Sequence, residues 1–162
     1  MSKVLYPGTF DPVTNGHMDL IERGSRLFDR MVVGVAAAHH REKTTFSVEE
    51  RVEMVREATR GNPAVEVLPF DGLLVAFARA VGARAVLRGL RAISDYEYET
   101  QMAFMNRRLD PGVEILFLPA DEKYTYVNAS LVKEIARLGG NVAAFVPPVV
   151  LSRMTARIRG EK

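Results

Sequence analysis

The 162-residue chain has no cysteine, which removes disulfides, thiolate zinc sites and cysteine nucleophiles from the chemistry open to it. It also lacks a surplus of charge of one sign. Its 22 Lys and Arg stand against 20 Asp and Glu, and a net +2 is too small for a broad basic surface, so no nucleic-acid partner is expected. No apolar run approaches the roughly 20 residues of a membrane span, and no signal-type apolar segment precedes the first strand-like run. The expectation is a cytoplasmic protein with no membrane partner. Three common site motifs are missing too: G-x-x-x-x-G-K-[ST], G-x-G-x-x-G and H-E-x-x-H. Kinase, dinucleotide-dehydrogenase and zinc-protease readings lose their main support.

What is present is a globular composition, 48% hydrophobic and 26% charged. Five short apolar runs read as strands: Val4 to Tyr6, Met31 to Ala37, Val65 to Phe70, Ala85 to Leu87 and Glu114 to Leu118. Amphipathic helical patterns lie between them. Ser47 with Glu50 and Ser94 with Glu97 have capping-box spacing, and Asp71 can cap a segment running from Leu73 to Val81 that Gly82 would close. After Pro147-Pro148, the residues Val149, Leu151, Met154 and Ile158 form a last helical pattern. Near-continuous apolar strands alternating with helices predict a parallel sheet covered on both faces. The fold class is α/β: a single doubly wound Rossmann-like domain over residues 1–162, with a five-stranded parallel sheet and a C-terminal helix. In such a fold ligands bind beyond the carboxyl ends of the strands.

The densest chemistry follows the first strand, in Tyr6-Pro-Gly-Thr-Phe-Asp-Pro-Val-Thr-Asn-Gly-His17. Thr14 reads as a helix N-cap. His17, Leu20, Ile21, Gly24, Leu27 and Phe28 keep one helical face, which sets His17 in the first turn at the carboxyl edge of the sheet. Helix-start amides favour an anion there, Gly8 and Gly16 would let backbone approach it, and Thr9 adds a hydroxyl. The stretch looks built for phosphate. Alone, His17 would more readily be a core residue.

Gly-Thr-Phe-Asp-Pro followed by Thr-Asn-Gly-His resembles the signature of the nucleotidyltransferase superfamily, and its Thr-x-Gly-His form resembles the bacterial phosphopantetheine adenylyltransferase family. The resemblance continues through Phe46 to Arg51, Arg88 to Ala92, Asp95 to Glu99 and Leu131 to Ala136. It implies transfer of AMP from ATP to 4′-phosphopantetheine, giving dephospho-coenzyme A and pyrophosphate in coenzyme A biosynthesis, with Mg²⁺ entering with ATP and a homohexamer as the assembly. It assigns His17, Lys43, Arg91 and Ser130 to catalysis. To ATP it assigns Thr9, Phe10, His17, Gly89, Leu90, Arg91, Glu99 and the run Tyr124, Thr125, Tyr126, Val127, Asn128, Ala129 and Ser130. Thr9, Lys43, Leu74 and Arg88 fall to the acceptor.

Two places depart from the family pattern. The loop after the second strand has Glu42 where a lysine is usual, so the cation is Lys43, with Arg41 as the alternative. Asn128 and Ala129 stand where the family often has serines. Arginine at a buried strand end calls for an anion; a structural ion pair to Asp95 or Glu97 is the alternative to a bound phosphate for Arg88 and Arg91. No metal cage is expected. His39 and His40 are adjacent without a nearby third ligand, and Asp11 could reach Mg²⁺ only through water. Two rival functions remain: a relative acting on a nicotinate or glycerol phosphate acceptor, which would generally have histidine at Thr14, and a regulatory protein that binds nucleotide without chemistry.

Overall fold

The computed structural model describes residues 1–37 and 43–160, apart from the side chain of Ser94. Five strands make one parallel sheet: β1 Lys3–Gly8, β2 Arg30–Ala36, β3 Val65–Phe70, β4 Ala85–Leu90 and β5 Glu114–Pro119, in the order β3-β2-β1-β4-β5. The chain starts at the centre, winds outward through β2 and β3, then crosses back to β4 beside β1. Among the described residues six α-helices accompany it: α1 Asn15–Leu27, α2 Val48–Ala58, α3 Leu74–Ala80, α4 Ile93–Leu109, α5 Ala129–Arg137 and α6 Pro148–Gly160.

Alternation along the central strands fills two cores. Val4 and Tyr6 of β1, with Met31, Val33 and Val35 of β2, join side chains from α1, α2, α5 and α6 in the larger one. Leu5 and Val32 point the other way and meet Val75 and Ala78 of α3 with Val86 and Val113. Both faces of the sheet are therefore covered, as its continuous apolar strands require.

The most consequential feature for function is where pairing stops. β1 and β4 pair only at Val4↔Ala85 and Leu5↔Val86, whereas β4 pairs with β5 over six residues to Leu90↔Pro119. Beyond Leu5 and Val86 the two central strands part, and a crevice opens at the topological switch point. The fourth strand thus runs three residues past the expected Leu87, because β5 carries it after β1 has left.

Several local expectations need correction. Leu27 ends α1 65% exposed, because the helix has left the sheet by then, while Leu20, Ile21 and Gly24 are buried as expected. Asp71 does not cap α3: Leu73 is its N-cap without a side-chain bond, and Asp71 accepts instead from the Gly72 amide. The N-cap of α4 is Ala92, without a side-chain bond, so the helix begins one residue before the Ser94 cap position. In α6 the fully buried residue is Val150, with Met154, while Val149, Leu151 and Ile158 flank them. Gly82, at φ +74, closes α3 as expected.

Candidate active site

The crevice holds a cleft of about 560 Å³, lined from the ends of β1, β4 and β5, from Lys43 and Thr44 ahead of α2, and from α1, α4 and the start of α5. The β1 exit forms its floor. Phe10 takes a left-handed conformation, φ +50, and turns its ring inward to 2% exposure, edge-on to Tyr6 at 5.5 Å and to His17 at 4.9 Å between centroids. A Cβ on Gly8, which lines the cleft, would lie 2.9 Å from that ring, so Gly8 makes room for Phe10. At Gly16 a Cβ would meet only ordinary contacts, 3.5 Å from Thr14 Oγ1 and 3.6 Å from Tyr124 Cβ.

Thr14 caps α1 in a capping box whose third-position partner is His17 itself. The Thr14 amide donates to His17 Nδ1 at 2.9 Å, and Thr14 Oγ1 accepts from the His17 amide at 3.4 Å. An amide hydrogen aimed at Nδ1 requires a lone pair there, so the ring proton of the neutral imidazole sits on Nε2. Burial first, then the charge of Arg91, lowers the His17 pKa from 6.5 to about 4. His17 at neutral pH is therefore an uncharged hydrogen-bond donor at the helix start, where α1 amides already favour an anion. Burial likewise pushes the phenol of Tyr6, another lining residue, well above its ordinary value.

Two arginines on the β4 side are gripped by α4. Arg88 makes a two-pronged pair with Glu99, Nε to Oε2 at 2.7 Å and Nη2 to Oε1 at 2.6 Å, and Nη1 donates to the Pro7 carbonyl across the crevice at 3.4 Å. Burial works against its charge, and the Glu99 carboxylate outweighs burial and raises its pKa. Arg91 lies 3.5 Å from Asp95 and donates to the Val127 carbonyl at 3.0 Å. Asp95 and Glu99 are four apart, on one face of α4, so a single helix turn orients both guanidinium groups. The partner of Arg88 is therefore Glu99, not Asp95 or Glu97. The Glu99 carboxylate, assigned to ATP by resemblance, is occupied in holding Arg88.

Of the residues singled out in the sequence, Thr9, Phe10, His17, Lys43, Arg88, Gly89, Arg91, Glu99, Tyr124, Val127, Asn128, Ala129 and Ser130 all line the cleft. Leu90, Thr125, Tyr126 and Leu74 do not. Leu74 packs at the edge of the smaller core, Tyr126 lies edge-on to Phe145, Thr125 Oγ1 donates to the Glu122 carbonyl, and the Leu90 carbonyl accepts from Ala120. Gly89 is needed for packing, since a Cβ there would sit 2.4 Å from Leu20 Cδ1. Asn128 caps α5 by accepting from the Ser130 and Leu131 amides, so it does the capping work a serine would do. Arg41, Glu42, His39 and His40 lie outside the described residues.

Lys133 and Arg51 were given no role from the sequence, and Asp11 was considered only as a water-mediated contact to Mg²⁺. Lys133 lines the cleft, 2.8 Å from Asp11. Asp11 itself accepts from the Thr45 and Phe46 amides, each at 2.9 Å. Arg51, fully buried, donates to four carbonyls, those of Thr9, Ala36, Ala37 and Phe46, and so ties the exits of β1 and β2 to the start of α2. The signal for Arg51 was an arginine on the inward side of an amphipathic helix one turn after its cap. Among the described residues no group of three or more His, Asp or Glu could hold a metal ion.

One crevice at the switch point is thus lined by a helix start, a neutral donor histidine, two arginines, two lysines and a second helix start. Residues 5–135 match the Cytidylyltransferase-like family, and the chain belongs to it, which places the protein among the nucleotidyltransferases. The fold is similar to that of a Vibrio parahaemolyticus protein provisionally described as a nicotinate-nucleotide adenylyltransferase, with a TM-score of 0.73 and 14% identity over 95% of this chain and 99% of that one. No described helix is long and apolar enough to cross a membrane.

Proposed function

We propose that this nucleotidyltransferase moves AMP from ATP to 4′-phosphopantetheine. An oxygen of the acceptor's phosphate monoester bonds to the α-phosphorus, the α–β anhydride bond breaks, and pyrophosphate leaves. The monoester is already anionic near pH 7, so no general base is needed to make a nucleophile. Alignment of two anions and stabilisation of charge on the α-phosphate supply the acceleration.

The observation that carries this reading is the Thr14–His17 capping box. It fixes the imidazole as a neutral Nε2–H donor, which suits an oxyanion and does not suit proton abstraction. Thr14 also supports the acceptor assignment, because relatives that use nicotinate or glycerol phosphates generally have histidine there, and histidine would not reproduce the cap. Thr9 and the Thr9 and Phe10 amides align the two phosphates, Lys43 and Arg91 bridge toward the transferred group, and Ser130 at the α5 start serves the β- and γ-phosphates. Arg88, preset by Glu99, receives the acceptor's phosphate.

Mg²⁺ belongs to this reading as part of the substrate, MgATP. Both carboxylate oxygens of Asp11 are engaged by Thr45, Phe46 and Lys133, so the phosphates and water are its ligands here. A homohexamer in the cytoplasm completes the proposal. Exposed apolar side chains on α4, among them Ile93, Phe104, Met105 and Leu109, support burial against further copies of the chain. Release of pyrophosphate from MgATP tests the reading. Release that depends on added 4′-phosphopantetheine is expected, and nucleotide binding without release would mark a regulatory protein instead.

A further inference from the structure

Three parts of the chain meet at one carboxylate. Asp11 follows the left-handed Phe10 at the β1 exit and is only 6% exposed. Its Oδ1 accepts from the Phe46 amide, and its Oδ2 accepts from the Thr45 amide and from Lys133 Nζ. Thr45 and Phe46 end the short segment that carries Lys43 and Thr44 into the cleft. Lys133 lies on α5, one turn beyond Ser130, with its side chain 17% exposed. Arg137, a further turn along, also reaches this segment and donates to Thr45 Oγ1 at 3.1 Å. A carboxylate this buried needs its donors, and here it has three.

A purely structural tie already exists. Arg51 binds the Thr9, Ala36, Ala37 and Phe46 carbonyls and would hold the β1 and β2 exits together without Asp11. The Asp11–Lys133 pair adds a connection from the Lys43 segment to α5, whose N-terminus forms the far wall of the cleft. Together with the Arg137–Thr45 bond, that connection ties the segment after Lys43 to α5.

We propose that Asp11 and Lys133 are positioning residues for the transfer step: they clamp the Lys43–Phe46 segment to α5, so that Lys43 meets the reacting phosphates in a set place. The proposal rests on the functional reading above for the role of Lys43. Lys43 is the group that acts; Asp11 and Lys133 act through it. A displacement of a few tenths of an ångström to 1 Å at such a group is enough to cost about one to two orders of magnitude in rate.

The test uses Lys133→Met, which keeps the apolar stem and leaves Asp11 its two amides, beside Lys133→Arg and Asp11→Asn. Without substrate, amide hydrogen exchange at Thr45 and Phe46 should speed up about fivefold or more in Lys133→Met, more in Asp11→Asn, and little in Lys133→Arg. In turnover, Lys133→Met should lower kcat about 10-fold with KM for ATP within about twofold, and Lys133→Arg should recover most of it. In a Lys43→Ala background the same Lys133→Met change should have almost no further effect, because the clamp would have nothing left to position. Unchanged exchange at Thr45 and Phe46, or losses that multiply in the double mutant, would overturn the proposal. The exchange measurement needs no substrate, so a wild-type protein that fails to adenylylate 4′-phosphopantetheine would count against the functional reading and leave the clamp to be judged by exchange.

Discussion

His17 shows how one side chain can be placed, oriented and tuned by its neighbours at once. The capping box that starts α1 also dictates its tautomer, and burial with Arg91 nearby keeps it neutral. His17→Ala should cost roughly 10²- to 10³-fold in kcat, as expected for one donor to a transition-state oxyanion, and about 1 kcal/mol of stability from the orphaned Thr14 amide. Steady-state kinetics and denaturant unfolding check the two together. The folded pKa of about 4 lies below the ordinary 6.5, so the unfolded chain takes up a proton that folded His17 refuses. The stability gained from the neutral ring is complete above about pH 6.5 and is lost as pH falls toward 4; a ¹⁵N NMR titration should find Nδ1 unprotonated and the ring neutral at pH 5.5. The identity of His17 was legible because chemistry and helical phase coincided in one stretch. Its tautomer was not, since that depends on the Thr14 amide direction. The Arg88–Glu99 pair was missed for a related reason: Asp95, Glu97 and Glu99 all lie on α4, and only the helix phase relative to β4 selects Glu99.

Among the elements, the strands were legible as apolar runs, and their alternation with helices gave the parallel, doubly wound class, while the order β3-β2-β1-β4-β5 came only from the structure. The strand ends were less legible. β4 continues to Leu90 through polar-looking Arg88-Gly89 because its pairing with β5 outlasts its pairing with β1. That same mismatch opens the cleft, so the least predictable strand end is the one that borders it. Caps divide similarly. Ser47 and Glu50 form the expected reciprocal box, with bonds of 3.2 and 2.8 Å, whereas Asp71 turns back on its own neighbour because Gly72, at φ +86, bends the chain away from α3. Ser47→Ala should therefore destabilise the fold by about 1 kcal/mol and Asp71→Ala by a few tenths at most, measured as shifts in urea midpoint. Equal effects would mean that Asp71 caps α3 after all. The positions of Lys133 and Arg137 on α5 became meaningful only once that helix was seen against the loop after β2.

At the level of the whole molecule, α4 presents apolar side chains left uncovered among the described residues: Ile93 is 92% exposed, and Phe104, Met105 and Leu109 are each exposed by 60% or more. Burial of such a surface against other copies would be favourable by roughly 25 cal/mol per Å² of apolar area. Sedimentation should show a concentration-dependent or stable oligomer, and Phe104→Ser with Met105→Ser should shift it toward the monomer while leaving the fold intact. The surface lies on the helix that also carries Asp95 and Glu99, so assembly and the arginine geometry share one element. What separates this protein from other nucleotidyltransferases is the acceptor its completed site would select. The direct measurement is a competition: the protein with MgATP and equal concentrations of 4′-phosphopantetheine and nicotinate mononucleotide, with products identified by mass. Dephospho-coenzyme A and pyrophosphate should form in equal amounts with the nicotinate nucleotide untouched; preferential adenylylation of nicotinate mononucleotide would refute the 4′-phosphopantetheine assignment.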